Sequence, residues 1–373
     1  MAPPNIAYLA RKFAMEIHME TVRLQAKGKL NVSPPAFVAW DCTRRCNLKC
    51  EHCGASKEKY RDELSTREIK NAVSELAAAS PAAFFCATGG EPLLRKDLLD
   101  VLAYAKSKGL STGFATNGFF LDSQKVAGVR KAGVDSVMVS LDGLEKTHNM
   151  IRGNPESFRR AAKAIKSIID AGVPQVTVAT TVTKSNFHEL EAIYDFVSGM
   201  GAKNWRISPI MPIGRAAKVE KFRLSPGQLR QIFEFVSEKR RGAVKILIGE
   251  NLPYLMEYEE AVRDAPIVCQ VGIGACCIGV SGSVRGCPEQ PDCPPFVEGN
   301  IRQKPLMKVW QEGFARYRLR TIIEQDPKCG KCDFRHRCFG GCWILRLGHM
   351  HCIRDMLHQS KKTKTPTRGL VQK

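Results

Sequence analysis

Residues 35–53 read PAFVAWDCTRRCNLKCEHC. The first seven are apolar apart from the closing Asp41, a pattern that predicts a buried strand. Cys46, Cys50 and Cys53 follow it at C-x3-C-x2-C spacing. Three thiolates can hold three irons of a 4Fe–4S cluster, which leaves the fourth iron without a protein ligand. An open iron suits a cluster that binds a substrate, as a catalytic zinc keeps one open position. Cys42 stands just before the triad and could serve as a fourth ligand or join a zinc site. Zinc sites more usually pair two C-x2-C units, which this stretch does not do.

Working outward, residues 35–250 alternate short apolar runs with amphipathic ones. Strands are predicted at 35–41, 83–87, 111–115, 135–141, 175–182 and 203–208. Helices are predicted at 66–79, 97–108, 122–131, 157–171, 187–199 and 226–239. Gly109, Gly133, Gly172 and Gly201 each follow a helix, where a left-handed cap is wanted. Six alternations read as parallel βα units, an α/β partial (βα)6 TIM-like barrel. In such folds the chemistry sits at the C-terminal ends of the strands. Residues 1–34 form an N-terminal extension with an amphipathic helix near 5–26, and the barrel core spans 35–255.

The chain has 373 residues, a formal charge of +20 and fifteen cysteines. No run approaches the ~18 apolar residues of a membrane span. Arg11, Lys12, Glu16 and Glu20 interrupt the region where a secretory signal would need an apolar core. A cytoplasmic protein is expected. The charge suits an acidic partner, but the basic residues are spread out and no nucleic-acid-binding motif is present. Nucleic acid is therefore not expected as a partner, nor is a membrane. The basic residues concentrate only after Ser360, and 359–373 reads as a disordered tail. Four cysteines lie in 42–53, Cys86 stands alone, and ten lie in 269–352. Clustering at short spacing points to metal rather than disulfides. Cys86, in an apolar strand, reads as a core residue.

The triad, the preceding strand and Asn47-Leu48 inside the loop together resemble the signature of the radical S-adenosylmethionine (AdoMet) superfamily. Further motifs at strand ends extend the resemblance over 36–240. Gly89-Gly90-Glu91-Pro92 is similar to the family's GGEP turn, whose glycine backbone meets the methionine amino group. Asn117 ends the third strand and Ser140 the fourth, both similar to positions near the cofactor. The resemblance implies that Ser140 contacts a ribose or carboxylate and that Arg152 pairs with the methionine carboxylate. Pro209 to Gly214 would pack on the adenine. The chemistry implied is reductive cleavage of AdoMet to a 5′-deoxyadenosyl radical that abstracts hydrogen from an unactivated carbon. A low-potential donor, ferredoxin or flavodoxin, would supply the electron.

After about residue 255 the character changes, and Cys, Gly and Pro rise. The stretch 276–287 reads as a hairpin turning at Ser281-Gly282, and 305–324 as one helix. Cys269, Gly282, Cys287, then Cys329, Cys332, Cys338, Cys342 and Cys352 have spacings that closely resemble the SPASM domain, here 256–358. The resemblance implies two interleaved auxiliary clusters, hence three 4Fe–4S clusters in all. One would take Cys269, Cys276, Cys287 and Cys342, with Cys277 facing the opposite side of the strand. The other would take Cys329, Cys332, Cys338 and Cys352. Structural zinc is the alternative, but ten cysteines exceed the four one ion needs. His336, His349, His351 and His358 read as surface residues.

Relatives that mature sulfatases carry an Asp after the second SPASM cysteine; Pro288 stands here. The Cys-Pro form is more like relatives acting in quinone-cofactor, heme, mycofactocin or tungsten-cofactor maturation. About 35 residues precede the first strand, too few for a peptide-recognition domain. Three functions are weighed: a maturase of a peptide or protein side chain, a cofactor-biosynthesis enzyme acting on a small molecule such as a porphyrin propionate, and a polyferredoxin-like electron carrier. A carrier has no need of GGEP or of a three-cysteine site.

Overall fold

A computed structural model describes residues 6–54, 62–249, 251–252, 254–347 and 352–358. The expectations for His349, His351 and the 359–373 tail fall outside these residues. Helix α1 (Ile6–Ala26) leads to β1 (Phe37–Thr43). Then follow α2 (Thr66–Ala79), β2 (Phe84–Gly89), α3 (Leu98–Ser107), β3 (Ser111–Thr116), α4 (Ser123–Lys131) and β4 (Ser136–Ser140). Next come α5 (Glu145–Arg152), α6 (Ser157–Asp170), β5 (Gln175–Val182), α7 (Leu190–Gly199), β6 (Asn204–Pro209), α8 (Pro226–Lys239) and β7 (Lys245–Ile248). Strands β1 to β7 are parallel neighbours in chain order. The six expected βα units are present, with β7 and α5 added.

Local signals explain the helix limits. Ser65 and Glu68 form a reciprocal cap on α2, and Ser225 and Gln228 do so on α8, each satisfying backbone N–H groups that no helical carbonyl can reach. Gly109, Gly133, Gly172 and Gly201 all adopt the left-handed conformation expected of them.

The C-terminal region continues the barrel wall. After α9 (Glu259–Val262), a hairpin of β8 (Ala275–Ile278) and β9 (Ser283–Arg285) is followed by β10 (Val297–Asn300). Strand β8 pairs in parallel with β1, and β9 and β10 extend the sheet antiparallel, giving the order β10-β9-β8-β1-β2-β3-β4-β5-β6-β7. The single helix expected at 305–324 is broken. It runs as α10 (Leu306–Glu312), then Ala315–Leu319 and Thr321–Gln325, because Phe314 and Arg320 take left-handed backbone angles.

Strand alternation divides the side chains into two faces. Val38, Trp40, Phe85, Phe114, Val139, Val178, Trp205 and Ile207 face outward into one apolar core with the helices. The opposite set faces the lumen. In a closed eightfold barrel that interior is packed solid. Here Cys86, Met138, Ser140, Ala179, Arg206 and Ser208 stay partly exposed although they lie within the sheet. The lumen is open. Cys86 is thus a lumen residue, not a core residue as its apolar strand suggested, because it shares the parity of Thr88 rather than of Phe85 and Ala87.

Candidate active site

The triad occupies the loop leaving β1 at the C-terminal mouth of the barrel. Cys46 is exposed, Cys50 buried and Cys53 between the two; all fifteen cysteines are free of disulfides. Burial pushes the Cys46 thiol up, and the nearby Cys50 and Cys53 push it further, so the three thiols share one neighbourhood. Cys42 points the other way, into the outer core with Val38 and Trp40, and full burial holds its thiol well above the usual range.

The loop is framed from three strands. From β2, Gly90 donates its N–H to Thr43 O at 2.7 Å and Glu91 donates to Arg45 O at 2.8 Å. A Cβ on Gly90 would lie 2.2 Å from Arg45 O, so only glycine admits this approach. From β3, Asn117 Nδ2 donates to Asn47 Oδ1 at 2.9 Å. From the β6 end, Arg215 N donates to Cys53 O at 3.0 Å, and a Cβ on Gly214 would meet Gly54 O at 2.3 Å. The segment after β6 therefore packs on Cys53 and Gly54.

Two expected cofactor contacts are corrected. Glu91 is wholly buried and faces no open space. Its carboxylate accepts from Leu93 N at 3.2 Å, Thr116 Oγ1 at 2.7 Å and Asn117 N at 2.8 Å, which ties the end of β2 to the end of β3. Burial outweighs those donors and pushes its carboxyl up. Arg152 is expected to meet a carboxylate of the cofactor, but its fork is committed to Asp142, with Nε and Nη2 at 2.6 and 2.5 Å from Oδ2. Its Nη1 lies 3.9 Å from Cys50 Sγ. Arg152 thus supports the buried thiol of the triad.

Sequence reading missed two histidines around Asp142. His52 lies inside the triad's C-x2-C, with Nε2 3.3 Å from Asp142 Oδ2. His148 accepts from Asp142 N at Nδ1, 2.9 Å away. Burial keeps both neutral, at about 4 for His52 and about 3 for His148. Burial also opposes charge on Asp142, but the Arg152 guanidinium, helped by the Thr181 N–H, outweighs it and holds the carboxyl below its usual value. A titratable residue between two ligand cysteines was the available signal for His52.

Asn47 Nδ2 and His52 Nδ1 are buried with no hydrogen-bond partner among the described residues. Both sit in the thiol loop, so a polar group bound there would satisfy them. Ser140 closes β4 on the lumen face, in register with Ala179 of β5. The donor set therefore fits an iron–sulfur cluster carrying a polar ligand.

The later cysteines form two groups. The half-buried Cys287 thiol is pushed well up by desolvation, by Glu289 and by the neighbouring Cys269, Cys342 and Cys277. Cys276, the expected hairpin ligand, is corrected. It packs in the outer core, where its charged neighbours are Cys277 and Arg318, and Cys277 takes the opposite face of β8. The thiol of Cys277 lies with Asp41, Arg285 and Glu289 and is pushed up to about 12, mainly by burial. In the second group, burial raises Cys338 to about 11, with Cys352 and Cys329 adding to it. Cys332 N donates to Cys329 O at 3.1 Å, which holds the fourth cysteine alongside.

A thiol triad over an open parallel barrel, backed by a second cysteine array, defines the class. The chain belongs to the radical SAM superfamily, whose sequence pattern matches residues 40–197, and the SPASM iron–sulfur cluster-binding domain matches residues 269–333. Among curated relatives, the AdoMet-dependent heme synthase of Oleidesulfovibrio alaskensis is 30% identical, over 91% of this chain and 90% of its own. The mycofactocin maturase MftC of Mycolicibacterium smegmatis is 28% identical, over 87% of this chain and 82% of its own. Among solved structures, Streptococcus suis SuiB bound to S-adenosylmethionine superposes with a TM-score of 0.71 at 18% identity, covering 87% of this chain and 77% of that one. The protein is an enzyme, and its family uses a 4Fe–4S cluster with AdoMet and, through SPASM, further iron–sulfur clusters. No helix among the described residues is long and apolar enough to cross a membrane.

Proposed function

We propose that this enzyme oxidises a carboxylate-bearing small molecule, with the propionate side chain of a tetrapyrrole as the substrate class. The observation that carries this reading is the match to a heme synthase along nine-tenths of both chains. The open lumen and the charge of +20 are compatible with an anionic substrate.

Cys46, Cys50 and Cys53 would hold the catalytic cluster, and bound AdoMet would supply there a 5′-deoxyadenosyl radical for hydrogen abstraction. The Gly89-Gly90 backbone, Ser140 and Asn117 would line the cofactor rim. Arg152 and Asp142 fix the Cys50 side of the loop, and the neutral His52 presents a polar nitrogen without adding charge. Cys269, Cys287 and Cys342, with Cys277 as the hairpin thiol, would hold one auxiliary cluster. Cys329, Cys332, Cys338 and Cys352 would hold the other. Removing hydrogen and carbon dioxide from a propionate leaves one electron to be taken up, and the clusters these later cysteines would hold would supply an acceptor for it. Ferredoxin or flavodoxin would reduce the catalytic cluster.

The test is an anaerobic assay. Purified protein should carry about twelve irons, four for each of three clusters. With AdoMet, a reductant and Fe-coproporphyrin III, mass spectrometry should show conversion of propionate to vinyl with loss of carbon dioxide. The second reading is peptide maturation, favoured by the similarity to the mycofactocin maturase. An unchanged porphyrin together with a mass change in a peptide encoded beside the gene would decide for it.

A further inference from the structure

The seam between β1 and the β8–β9 hairpin holds a buried chain of charges with no part in the site described so far. Cys277 of β8 stands directly opposite Arg285 of β9 and beside Ala39 of β1. Strand alternation then puts Cys277, Arg285 and Asp41 on one face, turned away from the outer core of Trp40, Cys276 and Val284. Opposed residues of an antiparallel pair hold their Cβ atoms about 5 Å apart, so the thiol and the arginine stem are neighbours.

Arg285 is wholly buried. Its Nη2 lies 2.6 Å from Asp41 Oδ2 and its Nη1 3.4 Å from Asp292 Oδ2. Asp41 Oδ2 also receives Arg44 Nη2 at 2.7 Å, and Arg44 stands in the triad loop just before Cys46. The other oxygen of Asp41 lies beneath the Gly-Gly turn, where a Cβ on Gly89 would come within 2.9 Å of it. One carboxylate therefore joins the triad loop and the cofactor rim to the hairpin. At the hairpin end, Cys287 has Cys269, Cys342 and Cys277 as neighbouring thiols, with Glu289 the further charged group beside them. Arg285 Nε is buried with no hydrogen-bond partner among the described residues. An unused donor at full burial is costly unless something accepts from it. An anionic iron–sulfur cluster held by Cys277 would be such an acceptor.

We propose that Arg285 tunes the reduction potential of the cluster held at Cys277, and that Asp41 ties this charge to the catalytic loop. The assignment rests on the reading that Cys269, Cys277, Cys287 and Cys342 hold an auxiliary cluster, and it names the residues that poise that cluster. Reduction adds one negative charge, so a nearby guanidinium favours the reduced form and a nearby carboxylate the oxidised one. Arg285 and Asp41 act through the cluster and its ligand, so both are positioning residues. Because Asp41 touches both sites, the charge balance of the auxiliary cluster is built into the loop that carries the catalytic thiols.

The test is an anaerobic redox titration of the full-length holoenzyme, followed by electron paramagnetic resonance, with iron counted in each sample. Arg285→Gln should lower the midpoint potential of one auxiliary cluster. The reduced-to-oxidised ratio at a fixed potential should fall about tenfold, as for a unit charge ~10 Å away in a protein interior, which is about 59 mV for one electron. Arg285→Lys should keep most of the wild-type potential, because the charge remains. Asp41→Asn should move the same cluster the opposite way. A merely structural defect would not give opposite shifts from the two partners of one ion pair. Wild-type potentials in both Arg285→Gln and Asp41→Asn would overturn the assignment, and so would shifts of the same sign. If Arg285→Gln loses its auxiliary iron, Asp41→Asn decides: a potential at or below that of wild type overturns the assignment. Wild type holding only about four irons, with no auxiliary resonance, would instead sink the reading of the Cys277 group as a cluster site, and the tuning role with it.

Discussion

The loop after β1 and the array after β10 both gather thiols, but they are framed in different ways. The loop is tied to the ends of β2 and β3 by backbone and amide hydrogen bonds and to a buried pair of Arg152, on α5, with Asp142, just past β4. Beyond Gly313 the array rests on helices of four to six residues. Its long-range ties are arginines reaching backbone carbonyls, such as Arg318 to Trp310 O and Gly272 O, and Arg320 to Cys269 O. Phe314, Arg320 and Phe339 hold left-handed angles that cost of order 1 kcal/mol or more each. The barrel frames its thiols through its own hydrogen bonds, whereas we expect bound metal to help frame the array.

Chelating the iron gives the largest test of that contrast. Hydrogen exchange in 321–347 and 352–358 should rise toward that of an unfolded chain while β1 to β6 keep their protection. Equal loosening of both regions would erase the distinction. The next effect is on stability. Asp142→Ala would strand Arg152 as a buried, unpaired cation, and denaturant unfolding should show a loss of about 3–5 kcal/mol. A loss below about 1 kcal/mol would mean that the loop's frame does not depend on the pair. Asn117→Ala removes the amide tie to Asn47 and should cost about 1–2 kcal/mol by the same measurement. It should also raise the KM for AdoMet. A pH effect at His148 is a separate test. Its folded value of about 3 lies below the ordinary ~6.5, so its contribution is complete above that value and declines as pH falls toward the folded one. In metal-free protein, His148→Gln should flatten the fall in melting temperature between about pH 6.5 and 4. An unchanged slope would show that the imidazole is not buried in its neutral form.

The six βα units were legible because each pairs an apolar run with a helix of clear period and a glycine stop. Strand β7 escaped because KILI spans four residues and stands beyond a glycine turn. Helix α5 escaped because EKTHNMIR is short and mostly polar, and it becomes amphipathic only once His148 and Ile151 find a core. The triad itself was plain from spacing. What spacing could not convey was the partner of each charged group. Arg152 and Glu91 both read as cofactor contacts, yet Arg152 is consumed by Asp142 across the β4–α5 turn and Glu91 by Thr116 and Asn117 on the next strand's end. Adjacent Cys276 and Cys277 were correctly expected on opposite faces, but a hairpin alone does not reveal which face will turn to the outer core.

The parallel pairing of β8 with β1 has a consequence for synthesis. Strand β1 gains one neighbour when β2 emerges, but its other edge stays open until Ala275–Ile278 is made, about 230 residues after Thr43. At ordinary elongation rates that interval is roughly 10–50 s. Throughout it, the strand bearing the catalytic loop presents unpaired N–H and C=O groups to its surroundings. The nascent chain thus carries the triad loop beside an open edge. That edge is covered late, by the docking of the C-terminal hairpin.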